Sequence, residues 1–339
     1  MIIVLKPRVS RREESAVLAE IRKLGYRPHV MRGVARTVIG AIGDERTHKN
    51  LEQLTAWPQV ESVTPIQKRF KLVSREAHPA NSTISLANGV VLGGPKVHVM
   101  AGPCSVESEK QLMATATAVC KAGATILRGG AFKPRTSPYE FQGLGEKGLK
   151  LLAKARRETG MPVITELLSE DHVELVAGYA DILQIGTRNA QNFQLLIAAA
   201  RTGRPVLLKR GLSMRIEEWL LAGEYVLSND NPNLLFCERG IRTFENYTRN
   251  TLDLSAVPII KRESHCPVVV DPSQGTGRAD LVAALCKGAV AMGADALLVE
   301  VHPNPAEAWS DGAQQLGFDA FTSLMRELRP FIEAAGRTA

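Results

Sequence analysis

The sequence is poor in cysteine, in aromatic residues and in long apolar runs, and each shortage excludes a class of protein. Its five cysteines are odd in number and contain no C-x-x-C pair, which argues against a disulfide-stapled domain and favours a reducing compartment. No apolar run approaches the ~18 residues of a membrane span. The N-terminus lacks the basic start and apolar stretch of a secretory signal. We therefore expect a cytoplasmic protein without a membrane partner.

The net charge of +7 is confined to the N-terminal part of the chain. The first 80 residues hold 15 Lys and Arg against 8 Asp and Glu, whereas the rest of the chain holds 27 of each. In this part the basic residues alternate with glutamates along a predicted helix, and no aromatic residues stand between them to stack on bases. We interpret the charge as a solvated helix face and expect no nucleic-acid partner.

Residues 1–75 show the order of elements β-α-β-β-α-β. Short apolar strands and helical spacing alternate in the way that is typical of ferredoxin-like modules. The predicted strands are Met1–Leu5, His29–Arg32, Thr37–Ile42 and Val60–Pro65, and the predicted helices are Ser10–Leu24 and His48–Thr55. Residues 76–95, which begin polar and rich in turn formers, are predicted to be a linker.

Residues 96–339 repeat a strand-then-helix rhythm. Because the apolar runs are continuous rather than alternating, they indicate strands buried on both faces, as in parallel sheets. Eight such units in about 240 residues predict a (β/α)8 TIM barrel, and a doubly wound open sheet is the alternative. The eight runs are Val97–Ala101, Thr125–Leu127, Val163–Thr165, Ile182–Ile185, Val206–Leu208, Leu234–Phe236, Val268–Val270 and Leu297–Val299.

A charged or chemically capable side chain follows each apolar run. In a barrel of this kind the catalytic residues come from the C-terminal ends of different strands, so we expect these side chains to share one face. They are Cys104, Arg128, Glu166, Arg188, Lys209, Glu238, Arg239, Asp271, Glu300 and His302.

Six cations are expected to meet at that face, and they indicate an anionic substrate. Arginine binds phosphate and carboxylate through a forked pair of donors and lysine binds them as a point charge, so several anionic groups are expected on the substrates. The alternative is a set of separate salt bridges to nearby carboxylates. The six are Arg128, Lys133, Arg135, Arg188, Lys209 and Arg239.

A divalent metal site is the second prediction for this face. Cys104, Glu300, His302 and Asp311 offer a thiolate, carboxylates and an imidazole, which suit Mn²⁺, Fe²⁺, Co²⁺ or Zn²⁺. The alternative for Cys104 is a small buried apolar side chain. The G-x-G-x-x-G pattern at 143–148 follows a proline-containing loop rather than a strand, so it does not indicate dinucleotide binding.

Several longer motifs resemble one enzyme family. The chain is similar to 3-deoxy-D-arabino-heptulosonate 7-phosphate (DAHP) synthases that carry an N-terminal ferredoxin-like regulatory domain, and the Lys-Pro-Arg-Thr run at 133–136 is the most specific feature. The motifs are Ala101–Ser108, Leu127–Tyr139, Gln184–Phe193, Leu208–Gly211, Cys237–Glu245, Val270–Ser273 and Val299–Pro303.

The resemblance implies a metal-dependent transferase. The reaction is the condensation of phosphoenolpyruvate with erythrose 4-phosphate to DAHP and phosphate, the first step of the shikimate pathway. Arg135 and Thr136 would bind the erythrose phosphate, Lys133 would move a proton and Glu166 would hold a water. The implied phosphoenolpyruvate ligands are Arg128, Lys133, Arg188, Lys209 and Arg239.

One position departs from the family pattern. The family has a metal-ligating histidine after Asp-Pro-Ser, and this chain has Gln274 there. The implied ligand set is therefore Cys104, Gln274, Glu300 and Asp311. Because an amide oxygen is a harder and weaker ligand than imidazole, we predict weaker metal binding that is shifted towards Mn²⁺, or a water or His302 in the missing position.

The resemblance also implies regulation and assembly. A tyrosine or phenylalanine effector would bind the N-terminal module, with His29 and Met31 as candidate contacts, and the protein would be a homotetramer. Two alternative functions stay open at this point. One is a related condensation with a five-carbon sugar phosphate, as in 3-deoxy-manno-octulosonate 8-phosphate synthase. The other is an effector-binding homologue that Gln274 has weakened catalytically.

Overall fold

The computed structural model describes residues 1–32, 36–43, 50–64 and 69–339, without the side chain of Met31. The chain divides into two compact units, Met1–Arg69 and Phe70–Ala339. None of the described helices is both long enough and apolar enough to cross a membrane.

The first unit is an antiparallel sheet with helical segments. Its strands are β1 (Ile2–Leu5), β2 (Arg27–Arg32), β3 (Thr37–Ile42) and β4 (Val60–Thr64), in the order β2-β3-β1-β4. This order, with β1 and β3 central, is the ferredoxin-like arrangement that the sequence predicts.

Helix α1 (Arg11–Lys23) begins where the sequence signals a start. The Ser10 hydroxyl accepts a hydrogen bond from the Glu13 amide, while the Glu13 carboxylate accepts from the Ser10 amide, which makes a capping box. Val17 and Ile21 are buried from this helix against the sheet core. Where the second helix is predicted, the described residues form a short 3-10 helix at Leu51–Ala56, and positions 48 and 49 lie outside the described residues.

The segment predicted to be a linker contains a buried hairpin. Strands β5 (Ile84–Ser85) and β6 (Val91–Leu92) pair antiparallel. Ile84 and Leu92 are fully buried among side chains from the barrel interior. The boundaries 1–75, 76–95 and 96–339 stay a prediction, but part of the middle segment belongs to the core of the second unit rather than to a free linker.

The second unit is a closed barrel of eight parallel strands, which confirms the predicted fold class. Each predicted apolar run overlaps one strand, and the ends of run and strand differ by at most two residues. The strands are β7 (His98–Gly102), β8 (Ile126–Arg128), β9 (Val163–Leu167), β10 (Ile182–Ile185), β11 (Val206–Lys209), β12 (Leu234–Glu238), β13 (Val268–Val270) and β14 (Ala296–Glu300).

Helices cover the outside of the barrel. Side chains on one face of each strand pack against them, while the other face fills the barrel interior. The helices are α2 (Glu109–Ala122), α3 (Glu146–Thr159), α4 (Val173–Tyr179), α5 (Phe193–Arg201), α6 (Ile216–Leu227), α7 (Ala256–Glu263), α8 (Pro272–Thr276), α9 (Ala279–Ala291) and α10 (Phe318–Ala334).

Three long loops at the C-terminal ends of the strands shape the active face. They connect β8 to α3, β12 to α7 and β14 to α10. Strands β8, β11, β12 and β14 themselves end on a charged residue, namely Arg128, Lys209, Glu238 and Glu300. In these four strands the buried apolar residues therefore fix the position of a charged side chain at the edge of the core.

Candidate active site

A polar cavity of about 260 Å³ lies at the C-terminal ends of the strands. Six cations line it, namely Lys133, Arg135, Arg188, Lys209, Arg239 and Arg249. Thr136, Glu166, Gln274 and Asp311 also contribute to its wall. The structure thus brings together five of the six predicted cations and adds Arg249.

Arg239 is the cation that most needs an anionic partner. It is buried, and its Nε and Nη1 atoms have no hydrogen-bond partner within the described part of the chain. Burial lowers the pKa of its guanidinium, because the charged form loses hydration. A buried donor without an acceptor is costly, so the site is prepared for an anion that supplies two acceptors.

Lys209 connects the cavity to α8. Its Nζ donates to Asp271 Oδ2 at 2.6 Å and to Gln274 Oε1 at 3.1 Å. Asp271 also accepts a hydrogen bond from the backbone amide of Gln274 as the N-cap of α8. This network holds a buried lysine in place at the cavity wall.

Three potential metal ligands meet beside the cavity, and we call Cys104, Glu300 and Asp311 the ligand triad. One ligand atom from each lies within 4.8 Å of the other two. The Cys104 thiol lies 3.3 Å from Asp311 Oδ2 and accepts a hydrogen bond from Lys133 Nζ at 3.0 Å. A thiolate with two carboxylates in one small space is a donor set that fits a divalent transition metal ion.

Burial and charge shift the pKa values around the ligand triad. Burial raises the pKa of the Cys104 thiol to about 12, and the neighbouring Glu300 adds to the rise. Burial alone would lower the pKa of Lys133, but attraction to Cys104 and Glu300 outweighs it, so that pKa is raised. Asp311 is also kept charged by its neighbours. Burial alone would raise its pKa, but the positive charges of Arg249 and Lys133 hold that pKa below the usual range. Lys133 therefore keeps its charge at neutral pH.

Arg128 lies next to the ligand triad. Its Nη1 is 3.1 Å from Glu300 Oε1 and donates to the Pro103 carbonyl at 2.6 Å, and its Nε has no partner among the described residues. It is buried and is not among the residues that line the cavity, and the substrate role predicted for it stays a prediction.

Gln274 reaches the ligand triad through its amide nitrogen. Nε2 lies 3.4 Å from Glu300 Oε1, while Oε1 accepts the hydrogen bond from Lys209. The oxygen is the atom of an amide side chain that ligates metals. In this arrangement that oxygen is already engaged by Lys209, so the predicted role of Gln274 as a ligand stays a prediction.

His302 does not join the ligand triad. Its Nε2 lies 3.1 Å from Glu107 Oε2, and its Nδ1 contacts the Asn304 carbonyl at 2.7 Å. Both ring nitrogens are engaged on that side of the loop, so the suggestion that His302 supplies a metal ligand is not supported.

The predicted catalytic Glu166 depends on a glycine. It lies in β9 opposite Gln184 of β10, and both line the cavity. A Cβ added to Gly186 would overlap Glu166 Oε1. Glycine at position 186 therefore provides the space that the carboxylate occupies.

The loop after β8 carries the residues predicted to bind the erythrose phosphate. Arg135 Nε donates to Glu140 Oε2 at 2.7 Å, and Thr136 is exposed at the cavity wall. Arg188 of the loop after β10 is also exposed there. These groups form the outer, more open part of the cavity.

Sequence reasoning missed two residues of the site. Arg249 lines the cavity and lies 3.3 Å from Asp311 Oδ1, and Gln314 donates to Glu300 Oε2 at 2.6 Å. Arg249 lies four residues past the Cys237–Glu245 motif, which was a usable signal. Gln314 is an uncharged amide, and nothing in the local sequence indicates its partner.

The two predicted regulatory residues lie in β2. His29 is exposed and pairs in register with Gly40 of β3. The side chain of Met31 lies outside the described residues. Their role stays a prediction.

Comparison with known proteins agrees with the fold. The chain matches the DAHP synthetase I family over residues 79–334 and the DAHP synthase ferredoxin-like domain over residues 1–68. It is 50% identical to the phospho-2-dehydro-3-deoxyheptonate aldolase of Thermotoga maritima over 336 residues, which cover 99% of each chain. A 2-dehydro-3-deoxyphosphooctonate aldolase of Syntrophotalea carbinolica is 34% identical, with 73% of this chain and 94% of that protein covered.

Solved structures give the same result. The crystal structure of the Thermotoga maritima aldolase (DAHP synthase) superposes with a TM-score of 0.95 at 49% identity, covering 99% of this chain and 98% of that one. A truncated form of the Thermotoga maritima DAHP synthase superposes with a TM-score of 0.75 at 50% identity, covering 79% of this chain and 98% of that one. With both of its units matched, the chain belongs to the DAHP synthase family, whose members are generally metal-dependent.

Proposed function

We propose that the cavity at the C-terminal end of the barrel condenses phosphoenolpyruvate with erythrose 4-phosphate, giving DAHP and phosphate. The observation that carries this proposal is Arg239, whose buried Nε and Nη1 atoms have no hydrogen-bond partner in the described ranges of the chain, in a cavity lined by five further cations. The two substrates bring two phosphates and a carboxylate, which match this surplus of positive charge. The similarity to the Thermotoga maritima aldolase over the whole chain supports the same reaction.

The cations are proposed to divide into two groups by substrate. Arg128, Lys133, Lys209 and Arg239, which are buried, and the exposed Arg188 are proposed to hold phosphoenolpyruvate. Arg135 and Thr136 lie further out on the loop after β8 and are proposed to hold the phosphate of the erythrose.

The ligand triad is proposed to hold Mn²⁺, Fe²⁺, Co²⁺ or Zn²⁺. The donor set fits such an ion because a soft thiolate and two carboxylates converge within 4.8 Å. When bound, the ion supplies a Lewis acid for the aldehyde oxygen. Gln274 is the fourth ligand that the sequence predicts, provided that its amide oxygen is released by Lys209.

The protein side chains position charge and protons during the reaction. The enol carbon of phosphoenolpyruvate forms the new carbon–carbon bond with the aldehyde carbon, and the aldehyde oxygen takes a proton, for which Lys133 is the proposed donor. A water held by Glu166 adds to the carbon that bears the phosphate and gives one proton to the Glu166 carboxylate. The bond between that carbon and the phosphate oxygen then breaks, the departing phosphate takes the second proton of the former water, and the ketone is left. The fixed cations stabilise the negative charge throughout.

Regulation and assembly are part of the proposal. We propose that a tyrosine or phenylalanine effector binds the N-terminal unit near His29 and Met31, and that the protein is a homotetramer. Equilibrium dialysis with each amino acid and sedimentation equilibrium test these two statements.

The reaction is tested by following phosphoenolpyruvate consumption with a four-carbon and with a five-carbon sugar phosphate. The purified protein is stripped of metal and supplied in turn with each of the four ions. We expect turnover with erythrose 4-phosphate, far slower turnover with arabinose 5-phosphate, and none without metal. Preference for the five-carbon substrate would favour the octulosonate reaction, and turnover with neither would favour an effector-binding protein.

Position 274 is tested separately by a metal titration of Gln274→His. Imidazole is a stronger ligand for transition metals than an amide, so we expect this variant to bind Co²⁺ and Zn²⁺ more tightly than the wild type, with a smaller gain for Mn²⁺. Equal binding of all ions by both proteins would show that position 274 does not limit metal affinity.

A further inference from the structure

The loop that supplies Asp311 also contacts the other two members of the ligand triad. Asp311 has a φ of 47°, a left-handed backbone conformation that is unusual outside glycine, and a short 3-10 helix follows at Gly312–Gln314. Gln315 Oε1 accepts a hydrogen bond from the Cys104 amide at 3.1 Å. Gln314 contacts the Glu300 carboxylate. The short segment 311–315 therefore supplies one member of the ligand triad and contacts the other two.

Gln314 has both ends of its amide in use. It is 2% exposed; Nε2 donates to Glu300 Oε2 at 2.6 Å, and Oε1 accepts from Arg249 Nη1 at 3.1 Å. Only the amide nitrogen can donate to a carboxylate, and only the amide oxygen can accept from a guanidinium. The chemistry of the two partners thus fixes the orientation of this side chain.

Arg249 connects Gln314 to the second carboxylate. The same Nη1 atom lies 3.3 Å from Asp311 Oδ1. Arg249 packs closely against the backbone of Gly277, because a Cβ added to Gly277 would lie 2.8 Å from Arg249 Cβ. The backbone amide of Arg249 also donates to the Thr276 carbonyl at 2.8 Å, which fixes the position of its backbone. Arg249 therefore touches Asp311 directly and Glu300 through Gln314.

We propose that Gln314, anchored by Arg249, is a positioning residue of the metal site. It holds the Glu300 carboxylate at a fixed angle to Asp311, so that the two carboxylates and Cys104 are arranged for the ion before the ion binds. This inference rests on the proposed function, since it assumes that the ligand triad binds a metal. Partners that orient a ligand in this way commonly contribute a factor of about 10 to 100 in metal affinity.

The test is a titration of the full-length, metal-free protein with Mn²⁺, in which free Mn²⁺ is measured by electron paramagnetic resonance. Gln314→Met keeps the size of the side chain and removes both hydrogen bonds. Gln314→Asn keeps the amide but is one methylene too short to reach both partners, and it serves if the methionine variant does not fold. We expect both variants to bind Mn²⁺ about 10 to 100 times more weakly than the wild type.

A matched control separates positioning from general stability. Asn231 is a buried amide at the opposite end of the barrel that donates to the Ala200 and Arg204 carbonyls. Asn231→Leu should lower the unfolding temperature without changing Mn²⁺ affinity.

In the Co²⁺-loaded Gln314 variants we expect the d–d absorption bands to shift while the thiolate charge-transfer band from Cys104 is retained.

Two failures can be told apart. If Cys104→Ala binds Mn²⁺ as tightly as the wild type, the ligand triad is not the metal site, and both the metal part of the proposed function and this inference fall. If Cys104→Ala loses affinity but the folded Gln314 variants bind like the wild type, the inference alone is overturned.

Discussion

At the scale of single residues, the site contains buried guanidinium nitrogen atoms that have no hydrogen-bond acceptor in the part of the chain that the structure describes. Arg239 is the clearest example, because two of its nitrogen atoms are buried without an acceptor among the described residues. Such an arrangement lowers the stability of the free protein and favours binding of an anion. Binding and stability should therefore respond to the same substitution in opposite directions.

Arg239→Met tests this opposition. The substitution removes two charge-assisted hydrogen bonds to phosphoenolpyruvate, each worth about 1.5 kcal/mol or more, so calorimetry should show binding that is roughly a hundredfold weaker. Without substrate, the variant should unfold at the same or a higher denaturant concentration than the wild type. Arg239→Lys keeps the charge and should lie between the two in affinity. A large loss of stability with unchanged binding would mean that Arg239 has a structural role.

Gly186→Ala tests the placement of Glu166. A methyl group at position 186 must displace the Glu166 carboxylate, because the two would overlap. We expect kcat to fall by at least tenfold with a smaller change in KM. Gly178→Ala is the matched control, since nothing lies within 4 Å of its added methyl group and helix α4 should gain stability. Equal kcat values in the two variants would remove Glu166 from the proposed mechanism.

How much of the site the sequence could predict depends on the type of residue. Charged side chains that directly follow a buried strand are recognisable, because a charge at the edge of a core has few structural uses. His302 also follows a strand, yet its ring contacts Glu107, since the direction of a side chain in a loop is set by tertiary packing. Gln314 escaped detection because its role comes entirely from its partners in the fold.

At the scale of elements, the barrel strands were predictable and the hairpin was not. Continuous apolar runs such as Leu234–Phe236 and Val268–Val270 indicate burial on both faces of the strand. In residues 76–95 the only uninterrupted run of three or more apolar residues is Val90–Leu92, and it stands among turn-forming residues. The burial of this segment's apolar residues inside the barrel is decided by distant strands, which no local pattern reveals.

Ile84→Ala measures what the hairpin contributes. Ile84 is fully buried among side chains from the barrel interior, so its truncation should reduce the free energy of unfolding by about 2–5 kcal/mol in denaturant titrations. Ser85→Ala, at the exposed neighbouring position, should change it by less than about 0.5 kcal/mol. Similar small effects in both variants would restore the interpretation of this segment as a free linker.

At the scale of the whole molecule, the two units have separate apolar cores. Among the described residues, the core cluster of the first unit draws its members from positions 1–63, and the two clusters of the barrel draw theirs from Phe70 onwards. The proposed catalytic residues all lie in the second unit, and the proposed effector contacts lie in the first. Catalysis and regulation should therefore be separable.

Removal of residues 1–69 tests that separation. We expect the fragment 70–339 to unfold cooperatively, because it retains its complete core, and to condense the two substrates with a kcat within a fewfold of the full chain. It should no longer respond to tyrosine or phenylalanine if these bind the first unit. An insoluble or inactive fragment would show that the barrel depends on the N-terminal unit.

The central claim is that the buried cations and the ligand triad form one site for phosphoenolpyruvate and a metal ion. The most direct measurement is a crystal structure of the protein soaked with Mn²⁺ and phosphoenolpyruvate, with the ion located by its anomalous scattering. The account predicts an ion bonded to Cys104, Glu300 and Asp311, and oxygen atoms of phosphoenolpyruvate within hydrogen-bond distance of Arg239 Nε and Nη1. An ion elsewhere, or phosphoenolpyruvate bound away from Arg239, would contradict it.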